Sequence, residues 1–259
     1  MKCLQCHFID TGVEDAVWNI ALDEVLLNSF EDTDLPILRV YSWKPSLSFG
    51  RFSKVFGTVD LDETREKNIS YVRRITGGGI LVHSDDISYS LILPRNYLST
   101  KGVEDNYRYL SQFIINIYQE LGLYASYAGD NKYNSKSSNI CLASNEKYDI
   151  LIDGKKIGGN AQRYKSKTLF QQGSIPININ ESLFEPVFLE DSGLLGATSL
   201  KKLEKNIGYK ELSELLKDVF SKTFNIKIIP YSLSSRLEQK VEELISQKYS
   251  KDSWNLYGK

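Results

Sequence analysis

Arg73 and Arg74 precede three consecutive glycines, Gly77, Gly78 and Gly79, and His83 follows them. Such a run is costly in backbone entropy unless something demands it. Two demands fit: successive N–H groups brought close to a ligand carbonyl or phosphate, or a tight connection between strands. No Gly-Lys-Ser/Thr follows, and the glycine spacing is wrong for a dinucleotide fingerprint, so neither nucleotide-binding loop fits. The arginines read as surface charges or as contacts to an anionic part of a substrate. His83 reads as a satisfied interior histidine or as a ligand contact. A second candidate is Cys141, in the polar stretch Ser137 to Asn145. Packing explains a cysteine there poorly, whereas a cation nearby would make its thiolate a nucleophile for acyl transfer. Lys156 is a candidate for that cation. It follows the pair Asp153-Gly154, and Lys155 beside it points to the opposite face. It could lower the Cys141 pKa and stabilise an oxyanion. Gly158, Gly159, Asn160 and Ala161 then keep side chains small, for a substrate or for a tight strand crossing.

The elements that must position these residues are mixed. Trp18, Leu22, Val25 and Leu26 form one stripe of a helix over 15–30. Strands are expected over 36–42 and 46–50, with Lys44-Pro45 as the turn. Asp60 and Glu63 form a capping box for a short helix to about Lys67. Ile87, Tyr89, Leu91 and Leu93 alternate as one face of a half-buried strand. Tyr107, Leu110, Phe113, Ile114, Ile117 and Leu121 mark a helix over 105–121 that Gly122 stops. Asp153-Gly154 between two strand-like runs signals a hairpin, and residues 148–177 read as a three-stranded meander. The last third reads as helical, with apolar stripes at Leu212, Leu215, Leu216, Val219 and Phe220 and at Leu237, Val241, Leu244 and Ile245. Strands interrupted irregularly by helices predict an α+β fold of mixed, largely antiparallel sheets with flanking helices.

The chain has 259 residues, 41% hydrophobic and 25% charged, with a net charge of -1. It is long enough to need no disulfide or metal staple, and one catalytic domain over 1–259 is expected. The balanced charge offers no bulk attraction to nucleic acid or anionic lipid. No apolar run is long enough for a membrane span, and the opening residues lack the layout of a signal peptide. A cytoplasmic location is therefore expected. Cys3, Cys6 and His7 spell a haem-attachment pattern, but that chemistry needs export. A zinc site lacks ligands, since His83 is the only other histidine. Residues from Cys3 to Ile9 are expected to be an opening strand.

Taken together the segments resemble the lipoate/biotin protein ligase superfamily, in particular its octanoyltransferase branch. The likeness runs from Asn19 to Glu24, through Leu38 to Trp43 and Gly50 to Phe52, to Arg73 through Gly79 with His83, Tyr89 and Ser90. It continues in Asp153 through Gln162, Gly173 to Ile175, Ala197 to Leu200, and Ser253 to Asn255. The resemblance implies a ligase-like catalytic domain. It makes Arg73, Arg74, Gly77, Gly78, Gly79, His83, Gly158, Gly159, Asn160, Ala161 and Gly173 the substrate-binding wall. It makes Cys141, thirteen positions before Gly154, the residue that takes the acyl chain, with Lys156 as its catalytic partner. The implied donor is octanoyl-acyl carrier protein, and the implied acceptor is a lysine of glycine-cleavage H protein or another lipoyl domain. No metal, cofactor or nucleotide is called for, and a monomer is expected. Two departures stand out: His83 is followed by Ser84 where the family often has Asp, and Gln171-Gln172-Gly173 stands where it often has Gln-His-Gly. An ATP-dependent lipoate–protein ligase shares the pocket and the lysine, but usually carries a further C-terminal domain, whereas this chain stops soon after Trp254. A non-catalytic acyl-binding or carrier-docking module is the other alternative.

Overall fold

The computed structural model describes residues 4–31, 33–98, 102–130 and 147–259. Its frame is an eight-stranded sheet in the order β11-β1-β2-β6-β10-β9-β8-β7, formed by β1 (Leu4–Glu14), β2 (Ile37–Trp43), β6 (Asp85–Pro94), β7 (Ala125–Tyr127), β8 (Ile150–Ile152), β9 (Lys155–Tyr164), β10 (Thr168–Asn178) and β11 (Ile226–Pro230). A three-stranded sheet, in the order β4-β3-β5, comprises β3 (Ser46–Phe49), β4 (Ser70–Arg73) and β5 (Ile80–His83). The helices are α1 (Ala16–Ser29), α2 (Leu61–Glu66), α3 (Val103–Glu120), α4 (Glu181–Phe184), α5 (Tyr209–Phe224), α6 (Ser235–Leu244) and α7 (Asp252–Asn255). The architecture is α+β, with parallel pairs confined to β1–β2, β1–β11 and β3–β4.

Each face of the large sheet has its own core. On one face Val40, Tyr89, Leu91 and Ile175 meet Phe113 and Ile117 of α3 and Leu216 and Phe220 of α5. On the other, Tyr41, Trp43, Ile92 and Phe170 meet Ile20, Val25 and Leu26 of α1 and Val241 of α6. The strand expected to be half-buried is thus covered on both sides. Its second face carries Asp86, Ser88 and Ser90, all buried, and each side chain takes part in hydrogen bonds, with Asp86 Oδ1 left without a partner. For the same reason α1 is buried beyond a single stripe, with Asn19 and Asp23 inside as well.

The meander closes as its turn chemistry requires. Asp153 and Gly154 have φ of +49° and +75°, the pair of positive values that a tight hairpin matching strand twist needs. Asp60 caps α2 through the amides of Asp62 and Glu63. Its own N–H goes to Val187 O instead of Glu63, so the expected capping box is one-sided. The last third is not helical throughout. Its β-branched run at Ile226, Ile228 and Ile229 pairs with β1, and a π-helical turn, Ile245–Tyr249, extends α6. Cys6 is buried in β1, while Cys3 lies outside the described residues. No helix among the described residues is long and apolar enough to cross a membrane.

Candidate active site

The two sheets meet at Lys44-Pro45, where the chain leaves β2 and enters β3. A cavity opens between them, with about 550 Å³ of empty space including its mouth. Tyr41, Trp43, Ser88, Gln172, Gly173, Ser174, Gly159, Asn160 and Ala161 line it from the large sheet. Arg74, Gly77, Gly78, Leu81 and His83 line it from the small one, and Asp149 stands at the end of β8. Apolar surface with a few convergent polar groups is the usual make-up of a small-ligand site.

The glycine run is held from behind. Arg74 is 2% exposed. Its guanidinium donates to the Ser48 carbonyl and, at 2.6 Å, to Ser48 Oγ; it also holds Gly79 O at 3.0 Å. Ser53 Oγ donates to Gly78 O at 2.9 Å. Gly78 has φ of +92°, which favours glycine. Gly50 packs so closely that a Cβ there would lie 1.8 Å from Gly78 O. With the carbonyls fixed this way, the N–H groups of Gly77, Gly78 and Gly79 donate to no acceptor among the described residues.

His83 is equally constrained. It stacks on Trp43 at 3.9 Å, with Nδ1 3.1 Å from Asp86 Oδ2 and Nε2 2.7 Å from Ser48 Oγ. A carboxylate only accepts, so the network assigns the ring proton to Nδ1 and lets Nε2 accept from the Ser48 hydroxyl. Ser88 Oγ also donates to Asp86, and Trp43 Nε1 donates to Ser88 Oγ. The order Ser48–His83–Asp86 has the outline of a nucleophilic triad. Ser48 is fully buried, however, and its oxygen already accepts from Arg74, so the three act as a strut for the pocket wall. Behind Tyr41 lies a second polar cluster. Arg39 pairs with Asp23 at 2.7 Å, and Asp23 also accepts from Tyr41 OH at 2.9 Å and Ser90 Oγ at 2.8 Å. This cluster links α1 to the pocket floor.

Lys156 is 3% exposed, and its Nζ lies 2.6 Å from Asp149 Oδ2. A β-bulge in the β8–β9 pairing, where Leu151 faces Lys156 but Ile150 faces Gly158, resets the alternation. Lys156 consequently shares a face with Gly159: a Cβ on Gly159 would lie 3.8 Å from Lys156 Cε and 2.8 Å from Asp149 Oδ1. Small residues here make room for the ion pair. Gly173 is confined too, since a Cβ would come within 2.1 Å of Asn160 Oδ1. Asn160 is fixed by Tyr89 OH at 2.5 Å.

The sequence-based residues divide accordingly. Arg74, Gly77, Gly78, His83, Gly159, Asn160, Ala161 and Gly173 lie in the cavity wall. Gly79 lies just behind it, under Arg74. Gly158 packs against Ser174 O, 2.6 Å from where its Cβ would be. Arg73 requires correction as a substrate contact. Its guanidinium binds six backbone carbonyls, those of Gly50, Arg51, Ser53, Trp254, Asn255 and Leu256, and so ties α7 to β3. Burial, then the nearby Arg51, pulls its pKa below the ordinary arginine value. Cys141 lies outside the described residues. Sequence reasoning passed over Tyr41, Trp43, Ser88, Gln172 and Ser174 as wall residues. Period-two alternation could have set Gln172 beside Ser174 on one face of their strand, and Tyr41 beside Trp43 on one face of theirs.

The comparisons with known proteins agree with this geometry. Residues 15–225 match the lipoyl protein ligase A/B catalytic domain. Octanoyltransferase LipM of Geobacillus kaustophilus is 31% identical, over 96% of this chain and 97% of the relative. The LipM of Oceanobacillus iheyensis is also 31% identical, over 95% of each chain. Among solved structures, a lipoate-protein ligase A bound with ATP superposes with a TM-score of 0.83 at 24% identity, covering 98% of both chains. A T. acidophilum lipoate ligase structure with bound lipoic acid gives 0.81 at 24%, over 98% of this chain and 99% of the other. Those two likenesses establish the fold, and the sequence matches establish the kinship: the chain belongs to the lipoyl protein ligase A/B catalytic-domain family.

Proposed function

We propose that the protein transfers an octanoyl group from octanoyl-acyl carrier protein to a lysine of a lipoyl domain, such as that of glycine-cleavage H protein, in lipoate assembly. The observation that carries this reading is the buried Lys156–Asp149 pair at the edge of a cavity walled by aromatic side chains and glycines. The octanoyltransferase relatives at 31% identity support it. Cys141 thiolate attacks the thioester carbonyl carbon. The carrier's thiolate leaves, and a Cys141 thioester remains. The acceptor amine then attacks that thioester, loses a proton and keeps the acyl group as an amide, while Cys141 thiolate departs. Lys156 donates to the carbonyl oxygen as it gains charge. In a site with little water, such a donor acts without reorganising solvent. Asp149 holds the ammonium in place and offsets its charge.

Mixing the protein with octanoyl-acyl carrier protein and weighing it by mass spectrometry tests the scheme. An octanoyl adduct is expected that disappears in Cys141→Ala and is discharged by apo-lipoyl domain. Full transfer by Cys141→Ala would overturn it.

A further inference from the structure

Gln172 is a cavity-wall residue whose side-chain amide has no hydrogen-bond partner among the described residues. It is 7% exposed and lines the cavity. Its Oε1 is buried without a partner, and no hydrogen bond joins its amide to any described residue. Exchanging the amide O and N would not change this, because nothing bonds to either. Buried side-chain amides are normally paired, so a lone one in a cavity wall points to a ligand group.

Its position narrows that group. Gln172 faces Ala161 across β9 and Ser90 across β6, and Ser174 on the same face pairs with Gly159. The amide therefore sits one two-residue step, roughly 7 Å, along the strand from the row where Lys156 and Asp149 meet Gly159. Tyr41 stands in that same row on the far side of β6, since it pairs with Ser88 and Ser88 with Ser174, and Trp43 lies one step beyond it. A fatty acyl thioester laid along that row brings a single polar group beside Gln172, its carbonyl. An apolar tail laid on Gln172 would strip water from the amide and return nothing. Resting on the transferase reading, we propose that Gln172 is a carbonyl-binding residue: its amide N–H donates to the acyl carbonyl oxygen from the row next to the one Lys156 reaches, and the tail runs away over Tyr41, Trp43 and Leu81.

Two probes that cannot be transferred test this in the intact protein. One is a ketone analogue of octanoyl-pantetheine with a methylene between sulfur and carbonyl; the other is the thioether lacking the carbonyl. Calorimetry should show the wild type binding the ketone roughly tenfold more tightly. Gln172→Met should remove most of that preference by lowering ketone affinity, with Lys156 holding the remainder, and leave the thioether unchanged. The infrared stretch of the ¹³C-labelled ketone should move to higher frequency in that variant. No ketone preference in the wild type overturns the proposal, whatever the variant does. So does a preference that is undiminished in Gln172→Met, or equal loss of both ligands, which would mean a packing role. Neither probe needs Cys141 or turnover, so failure here is separate from failure to form the acyl adduct.

Discussion

At the residue scale the ion pair of Lys156 and Asp149 decides most. Both side chains are almost fully buried, and breaking a buried pair by removing one member costs about 3–5 kcal/mol. Lys156→Met is therefore expected to abolish transfer and lower unfolding stability by that order in urea titrations. Adding Asp149→Leu should restore stability and leave transfer dead. A single variant that keeps full transfer would remove Lys156 from the chemistry. The lysine was legible in the sequence because it follows a hairpin signal and precedes small residues. Its neighbourhood was not: simple alternation puts Lys156 on the face of Gly158, and only the bulge at Ile157 puts it with Gly159. Arg73 and Arg74 teach the same lesson. As neighbours in a strand end they face opposite ways. Which one meets the cavity depends on where α7 returns, some 180 residues later, beyond the reach of any local pattern.

At the element scale, strands and helices with strong periodicity were readable, and short ones were not. The helix over 103–120 and the meander carry their own stops in Gly122 and Asp153-Gly154. The strand Ile226–Pro230 has only five residues and lies between helices, so its state is set by the open edge of β1 rather than by itself. The glycine loop depends on a neighbouring element in the same way. Because Gly50 touches Gly78 O, Gly50→Ala must push the loop outward. We expect kcat/KM for octanoyl transfer to fall on the order of 100-fold, as misplacement of a reacting group by about an ångström does. The thermal midpoint should drop by only a few degrees, consistent with overpacking of about 1–3 kcal/mol. Steady-state kinetics beside thermal unfolding checks the split. Unchanged kinetics would mean the loop's placement is not rate-determining.

At the scale of the whole molecule, the α+β class was legible from the irregular order of elements, but the separation into two sheets was not. The two strands flanking Lys44-Pro45 look like an ordinary hairpin until their partners are known. The interior also holds many weak acids in neutral form. Burial pushes the Cys6 thiol from 9.0 up to about 12 and the Tyr127 hydroxyl from 10.0 up to about 12. Tyr41, Tyr89, Tyr118 and Tyr249 are raised by the same cause. Raised values mean that the unfolded chain ionises first. Their stabilising contribution is complete below pH 9.0, the ordinary thiol value, and is lost as pH climbs through the folded values. Unfolding free energy measured by denaturant titration at stepped alkaline pH should fall with a slope of more than one proton. Cys6→Ala should make the first part of that fall shallower. A flat profile up to the folded values would contradict the burial of these groups.

The corner at Lys44-Pro45 gives the cavity the character of a caliper. One jaw carries Gly77, Gly78 and His83, the other carries Gln172, Ser174 and Gly159, and the two are joined through Lys44-Pro45, whose proline has a fixed φ, and through Ser84 between β5 and β6. The gap between the jaws is consequently a property of the joints as much as of the teeth. A lineage could widen or narrow what fits by altering these joints, leaving every residue that touches the cargo as it was.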